Sequence, residues 1–333
     1  MPLQDMRITR RRHLALLGGG ALATVLGRPA LAQQAVTIRQ GYQTNIWGMP
    51  TYYLLQSGAL EKQSMKFEEF AVPSGNLTMQ QMVARQVDLG TYAGQSFILG
   101  ADRGDLVAIA QIEEVGKTVR IMARKDLGLK TVADLKGKKI ANQTGSSIAT
   151  VFVDKIAPAA GLKKGDYQEI RMNVNDMVAA LAAKTVDAMV NVEPYNAIAE
   201  AEGIATTIMD YWEVDRMPVL MAATPDFVEK HPDAIVAYLK AWLDVGRHFK
   251  EQPDKVAEVI YQFYTGKGYS MSRDAFREAL AKVVVNPGFP SDLKPYLQKE
   301  AEGLIEAKRI KSAPDWSKAL RPEFMEKAQG KVG

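Results

Sequence analysis

From residue 36 onward, short apolar runs alternate with longer stretches whose apolar positions recur every three or four residues. "VTIRQGYQ" (36–43) reads as a strand and "GMPTYYLLQSGALEKQ" (48–63) as a helix. "MKFEEFAV" (65–72) and "SGNLTMQQMVARQ" (74–86) repeat the pair. "VDLGTYAG" (87–94) and "DLVAIAQI" (105–112) are continuous apolar runs suited to a sheet covered on both faces, with the short helix "QSFILGADRG" (95–104) between them. After "TVRIMARKD" (118–126) the order restarts: "KKIANQ", the helix "SSIATVFVDKIAPAAG", "YQEIRMNV", the helix "NDMVAALAAKT", then "VDAMVNVEPY". Such alternation predicts parallel sheets flanked by helices. From Pro225 to the end the pattern is mostly helical, opened by an N-cap threonine and a first-turn proline at Thr224-Pro225-Asp226.

The two halves echo one another. "MVARQVDLGTY" and "LAAKTVDAMVNV" each join a helix end to Val-Asp at the start of a strand (Val87-Asp88 and Val186-Asp187), and each follows a strand–turn–helix unit. The echo predicts two similar α/β lobes, the second inserted in the first, with crossings near residues 123–127 and 218–224. The corresponding division is a discontinuous first lobe at 33–124 and 220–333 and a second lobe at 125–219.

The N-terminus follows a different rule. "TRRRHLALLGGGALATVLGRPALAQQ" has a basic start (Arg10, Arg11, Arg12), an apolar stretch from Leu14 to Leu26 and a small-residue ending at Ala30-Leu31-Ala32. The stretch is too short and too glycine-rich for a membrane span, so residues 1–32 read as a cleaved secretory signal. Thr9 to Leu14 resembles a twin-arginine export signal, with His13 where that motif usually has Phe; an ordinary Sec signal is the alternative. The signal carries five arginines and one aspartate, a net of +4 that equals the net charge of the whole chain. The mature part is therefore formally neutral, and its charge points to neither nucleic acid nor an anionic membrane. With no cysteine in the chain, disulfides, thiolate metal sites and a lipidated N-terminal cysteine are excluded. Export to a Gram-negative periplasm as a soluble, monomeric chain is the expected fate.

These residues also carry a resemblance. "IRQGYQ" at the first strand, "TVADLKGKKIANQTGSS" opening the second half, "VDAMVNVEPY" returning from it and "FVEKHPDAIVAYLKAW" near the end resemble the periplasmic solute-binding proteins of ABC importers, in the branch that includes nitrate-, sulfonate- and taurine-binding proteins. The resemblance implies a two-lobed, type II periplasmic-binding fold, each lobe a mostly parallel sheet flanked by helices, with a hinge between them. It also implies a small anionic or zwitterionic solute (sulfonate-, taurine- or nitrate-like) captured in the cleft between the lobes and delivered to an inner-membrane permease and its ATPase, with no cofactor. A pyrimidine (thiamine-precursor-like) or aromatic nutrient is the alternative ligand class, and an extracytoplasmic ligand sensor the alternative role.

An α/β sheet places its ligand crevice beyond the C-terminal ends of its parallel strands, where helix N-termini favour anionic groups. That rule selects Tyr42, Gln43 and Trp47 after the first strand, Ser74 and Gly75 after the second, and Gly94, Gln95 and Ser96 after the third. In the second half it selects Gln143, Gly145, Ser146, Ser147, Asn173, Glu193 and Tyr195. Gly145 is expected to let the backbone approach the ligand. Ser146 and Ser147 read equally well as ligand donors or as caps of their own helix, and the others have similar readings as turn or cap chemistry. Sulfonate and taurine binders often place a histidine shortly after this turn, where Ile148 and Ala149 stand here. Carboxylates occur instead: Glu113-Glu114, and Glu193, which would suit a ligand amine if it faced the cleft. An enzyme is not expected. The mature part has only His231 and His248, both in predicted surface helices, and neither a triad nor a metal cluster can be assembled from the spacing.

Overall fold

The computed structural model describes residues 35–143, 145–267 and 272–331, so the signal segment proposed at residues 1–32 lies outside the described residues. In chain order the strands are β1 (Thr37–Gln43), β2 (Lys66–Val72), β3 (Leu89–Ala93), β4 (Val107–Glu114), β5 (Val119–Arg124), β6 (Lys139–Asn142), β7 (Gln168–Arg171), β8 (Ala188–Val192), β9 (Ala205–Asp210), β10 (Pro218–Ala223) and β11 (Val284–Gly288). They form a six-stranded sheet in the order β11-β4-β10-β3-β1-β2 and a five-stranded sheet in the order β7-β6-β8-β5-β9.

The two sheets share one plan. In the first, β1 pairs in parallel with β2 and β3, while β10 runs antiparallel between β3 and β4. In the second, β6 pairs in parallel with β7 and β8, while β5 runs antiparallel between β8 and β9. Each sheet thus points its strands one way, except for the strand that has just crossed from the other lobe and, in the first sheet, the antiparallel edge β11. Most strands in each sheet run parallel, and the exceptions make both sheets mixed.

This plan moves the lobe boundaries. Val119–Arg124, expected in the first lobe, is β5 and pairs in the second sheet, so the outward crossing is at Val115–Thr118 rather than at 124. The return lies between the end of β9 at Asp210 and the start of β10 at Pro218. The two crossings run side by side: Gly116 N donates to Arg216 O at 2.8 Å and Val115 N to Met217 O at 3.3 Å. The first strand after a crossing is buried on both faces, and no apolar pattern tells which sheet it will enter.

The Val-Asp echo has a structural cause. Asp88 accepts from Arg39 N at 3.1 Å, and Asp187 accepts from Lys139 N at 2.9 Å. Each aspartate fastens the start of its own strand to its parallel neighbour, β1 in one sheet and β6 in the other, so the repeated residue serves the same joint twice.

β11 escapes the sequence pattern because its last residues, Asn286-Pro287-Gly288, are turn formers. Proline is tolerated there because β11 is an edge strand, whose outer N–H groups need no ladder partner. The helix Pro232–Glu251 packs on the first sheet, where fully buried Tyr238 donates to Gln40 Oε1 at 2.6 Å, and the helix Pro253–Gly266 packs against that helix. Among the described residues no helix is long and apolar enough to cross a membrane.

Candidate functional site

The C-terminal ends of β1, β2, β3 and β6 meet at one small pocket. It is lined by Gln43, Asn45, Trp47, Ser74, Gly75, Asn76, Ala93 and Ser96 from the first lobe, and by Gln143, Ser146, Ser147 and Ile148 from the second. Among these residues none is ionisable. Three helices begin here, at Gly75, Gly94 and Ser147, and bring their positive ends to the same place. The lobes are closed over it: Ser96 Oγ and Ser147 Oγ are 3.2 Å apart, and the free volume is about 10 Å³, on the scale of one water.

Each side chain is held by its element. Asn45 caps the short turn Ile46–Gly48 by accepting from Trp47 N at 3.0 Å. Trp47 spends its indole N–H on Thr118 Oγ1 at 2.7 Å, which leaves the ring as an apolar wall across the crossing segment. Gln43 Oε1 accepts from Thr91 Oγ1 at 3.4 Å, while its buried Nε2 has no protein acceptor. Ser74 and Ser146 cap their helices, accepting from Leu77 N at 3.4 Å and Ala149 N at 3.2 Å, and each still has a hydroxyl proton to donate. Ser147 caps nothing and points across the cleft.

Of the positions selected from sequence, Gln43, Trp47, Ser74, Gly75, Ser96, Gln143, Ser146 and Ser147 come together in this pocket. The others go elsewhere. Tyr42 is fully buried and donates to Glu69 Oε2 at 2.7 Å. Gly94 packs under Leu297 and Tyr296, and Gln95 turns away to donate to Glu300 Oε2 at 2.7 Å. Gly145 is exposed and lines an outer groove with Tyr167 and Arg309. Asn173 is exposed at the turn before Val174, and Tyr195 packs half-buried against the apolar core. Glu193 is completely buried, paired with Lys282 and with Arg120 at 3.8 Å, and its other oxygen accepts from Ala197 N at 3.1 Å. Its charge is answered within the protein, so the reading of Glu193 as a partner for a ligand amine is withdrawn. Asn45, Asn76, Ala93 and Ile148 were not selected. Asn45 was legible as the cap of a short turn before Trp47, and the other three adjoin selected residues.

The remaining carboxylates separate in the same way. Glu114 is paired with Arg216 at 2.9 Å. Glu113 is 1% exposed, and neither carboxyl oxygen has a hydrogen-bond partner. It pairs with Val219, which in turn pairs with the pocket residue Ala93. Burial holds the Glu113 carboxyl well above the usual carboxylate range, in its protonated form. An unfolded glutamate titrates near pH 4.3, so this preference for the neutral form supports folding below that pH and is lost as pH rises through the raised folded value. Glu113→Gln is therefore expected to melt above wild type at pH 8 and together with it near pH 4. Melting curves that stay parallel across that range would count against a buried neutral carboxyl.

A two-lobed α/β body with a polar pocket between facing strand ends defines the class. The chain belongs to the NMT1/THI5-like family, which it matches over residues 60–256. A protein of Brucella abortus (strain 2308) named as a binding protein is 31% identical over 181 residues, covering 54% of each chain, so the chain spans about half the length of the Brucella relatives it matches. Among solved structures, the alkanesulfonate-binding protein of Xanthomonas axonopodis pv. citri bound to MOPS superposes with a TM-score of 0.75 at 19% identity, over 87% of this chain and 99% of that one. The periplasmic nitrate-binding protein of Synechocystis PCC 6803 superposes with a TM-score of 0.72 at 14% identity, over 90% of this chain and 89% of that one. These likenesses show that the two-lobed fold is shared.

Proposed function

We propose that the chain is the substrate-binding component of an ABC-type importer, closing its two lobes over a small anion of the sulfonate or nitrate kind. The observation that carries this reading is the pocket between the sheets, walled by amides, hydroxyls and three helix N-termini without one ionisable side chain. Neutral donors fixed at helix ends solvate an anion without a counter-charge. The same wall offers an ammonium group no carboxylate, only neutral acceptors, which favours a simple anion over a zwitterionic aminosulfonate or an aminopyrimidine. The solutes named for the structural neighbours, an alkanesulfonate and nitrate, are of the favoured kind.

The reading assigns no chemical step, because the pocket serines have no histidine, lysine or carboxylate beside them among the lining residues. Its partners are the solute and a membrane permease with its ATPase. It places the chain in the periplasm, exported with cleavage near Ala32–Gln33. A thermal-shift panel of methanesulfonate, nitrate, taurine and an aminopyrimidine tests it. A ligand at a hundred times its Kd stabilises the folded chain by about 2.7 kcal/mol through mass action, a shift of several degrees. Methanesulfonate or nitrate is expected to give that shift and a smaller radius of gyration in scattering, as the lobes settle closed. A panel in which only the amine-bearing compounds stabilise the chain would overturn the anion reading.

A further inference from the structure

The helix that begins at Ser147 continues through a π-helical turn at Phe152–Ile156 to Ala159. Besides Tyr211 Oη donating to Ile148 O at 3.0 Å and Arg309 donating to Thr150 Oγ1 at 2.7 Å and pairing with Asp154, two of its contacts with the rest of the molecule lie on one circuit. Its first residue faces Ser96 in the pocket. Two turns on, roughly 12 Å along the axis, Lys155 donates to Asp215 Oδ2 at 2.7 Å and is ion-paired with Glu300. Neither acceptor belongs to the second sheet's lobe. Asp215 lies in the returning crossing, where its other oxygen accepts from Met217 N and Tyr296 Oη, both at 2.8 Å. Glu300 lies on the helix Leu293–Glu306, which packs on the Gly94–Gly104 helix through Leu297 and Phe97.

The second oxygen of Glu300 closes a circuit. It accepts from Gln95, the residue next to Ser96. Lys155, Glu300, Gln95, Ser96 and Ser147 thus form a ring of contacts with the pocket at one side and an ion pair at the other. The Asp215 and Glu300 side chains are 1% and 2% exposed, whereas the Lys155 side chain is 30% exposed. Parting the lobes would carry the lysine away from two carboxylates that are otherwise buried, and breaking a buried pair by removing one partner is costly.

We propose that Lys155 is a positioning residue for the anion pocket. Its pairs with Asp215 and Glu300 hold Ser147 opposite Ser96 and bias the chain towards the closed form before a solute enters. The effect on affinity rests on the proposed binding function; the bias towards closure does not. Where only the closed form holds the ligand tightly, apparent affinity scales with the fraction of closed chain, so the latch adds affinity without touching the solute.

The chain has no cysteine, which allows a clean reporter. In a Ser96→Cys/Ser147→Cys chain, the two thiols meet only when the lobes close, and the rate of ligand-free disulfide formation with added oxidised glutathione, which takes up the two electrons by thiol–disulfide exchange, reads closure. Adding Lys155→Gln is expected to slow cross-linking about tenfold, and Lys155→Arg to restore most of the rate. Glu300→Gln keeps an acceptor for Gln95 and the Lys155–Asp215 pair, and is expected to slow cross-linking by a smaller factor even if Lys155→Gln folds poorly. With both serines intact, Lys155→Gln should weaken methanesulfonate binding by about the factor seen in cross-linking. Cross-linking as fast in Lys155→Gln and Glu300→Gln as in the parent would overturn the latch. Normal latch behaviour in a chain that binds neither methanesulfonate nor nitrate would instead overturn the proposed ligand class.

Discussion

Gln43→Glu is expected to weaken anion binding by roughly a hundredfold or more while leaving the unliganded chain close to wild type in stability. Gln43 is 1% exposed at the end of β1, and its Nε2 is a buried donor without an acceptor in the protein. A buried amide left unpaired is destabilising, so an N–H aimed into the pocket is a donor reserved for something else. Glutamate keeps the shape and replaces that donor with a charge of the ligand's own sign. Two like charges about 4 Å apart repel by about 4 kcal/mol at an effective dielectric constant of 20, and the lost hydrogen bond removes about 1.5–3 kcal/mol more. A hundredfold loss needs only about 2.7 kcal/mol. The N-terminus of the Gly75–Val83 helix lies against the same amide and would stabilise the introduced carboxylate, which is why folding should tolerate it. Gln43→Met removes the donor without the charge and should lose about tenfold. Calorimetric titration with methanesulfonate orders the three chains. A Gln43→Glu chain that binds like wild type would make this amide a structural group and move the site elsewhere.

The alternating apolar pattern carries the architecture because each parallel strand is buried on both faces and each helix on one, so burial leaves a periodic trace. The strands it missed or misassigned, β5, β9, β10 and β11, are those whose placement depends on partners far away in sequence. Site legibility divides along the same line. Ser74, Ser96, Ser146 and Ser147 are found by the strand-end rule because a helix start is a local event. Whether a strand-end side chain enters the pocket is decided by what packs behind it. Gln95 follows Glu300, Tyr42 follows Glu69 and Glu193 follows Lys282, partners 205, 27 and 89 residues away. Long-range partners of this kind leave no mark in a local pattern.

The two glycines at the strand ends should separate in the opposite sense from their appearance in sequence. Gly145, in the glycine-serine turn that resembles an anion loop, has φ +90°, and a Cβ built there would meet nothing within 4 Å. It is glycine because of its backbone angle. Gly75 has no such angle, but its Cβ would stand 2.6 Å from both Tyr92 Cβ and Gln43 Nε2. It is glycine because of what surrounds it. Gly145→Ala should therefore cost about 1–2 kcal/mol of stability, the strain of a left-handed residue, and leave methanesulfonate affinity within about threefold. Gly75→Ala crowds a fixed β-carbon of a fully buried tyrosine on one side and the end of a flexible amide on the other. The amide is the softer neighbour and must yield, so the Gln43 donor leaves its place. Overpacking of this kind costs about 1–3 kcal/mol in stability, and displacement of the donor should lower affinity at least about tenfold. Melting and titration of the two variants side by side make the comparison. Should Gly145→Ala abolish binding while Gly75→Ala spares it, the solute lies in the outer groove beside Tyr167 and Arg309, and the pocket between the sheets is only a closed seam.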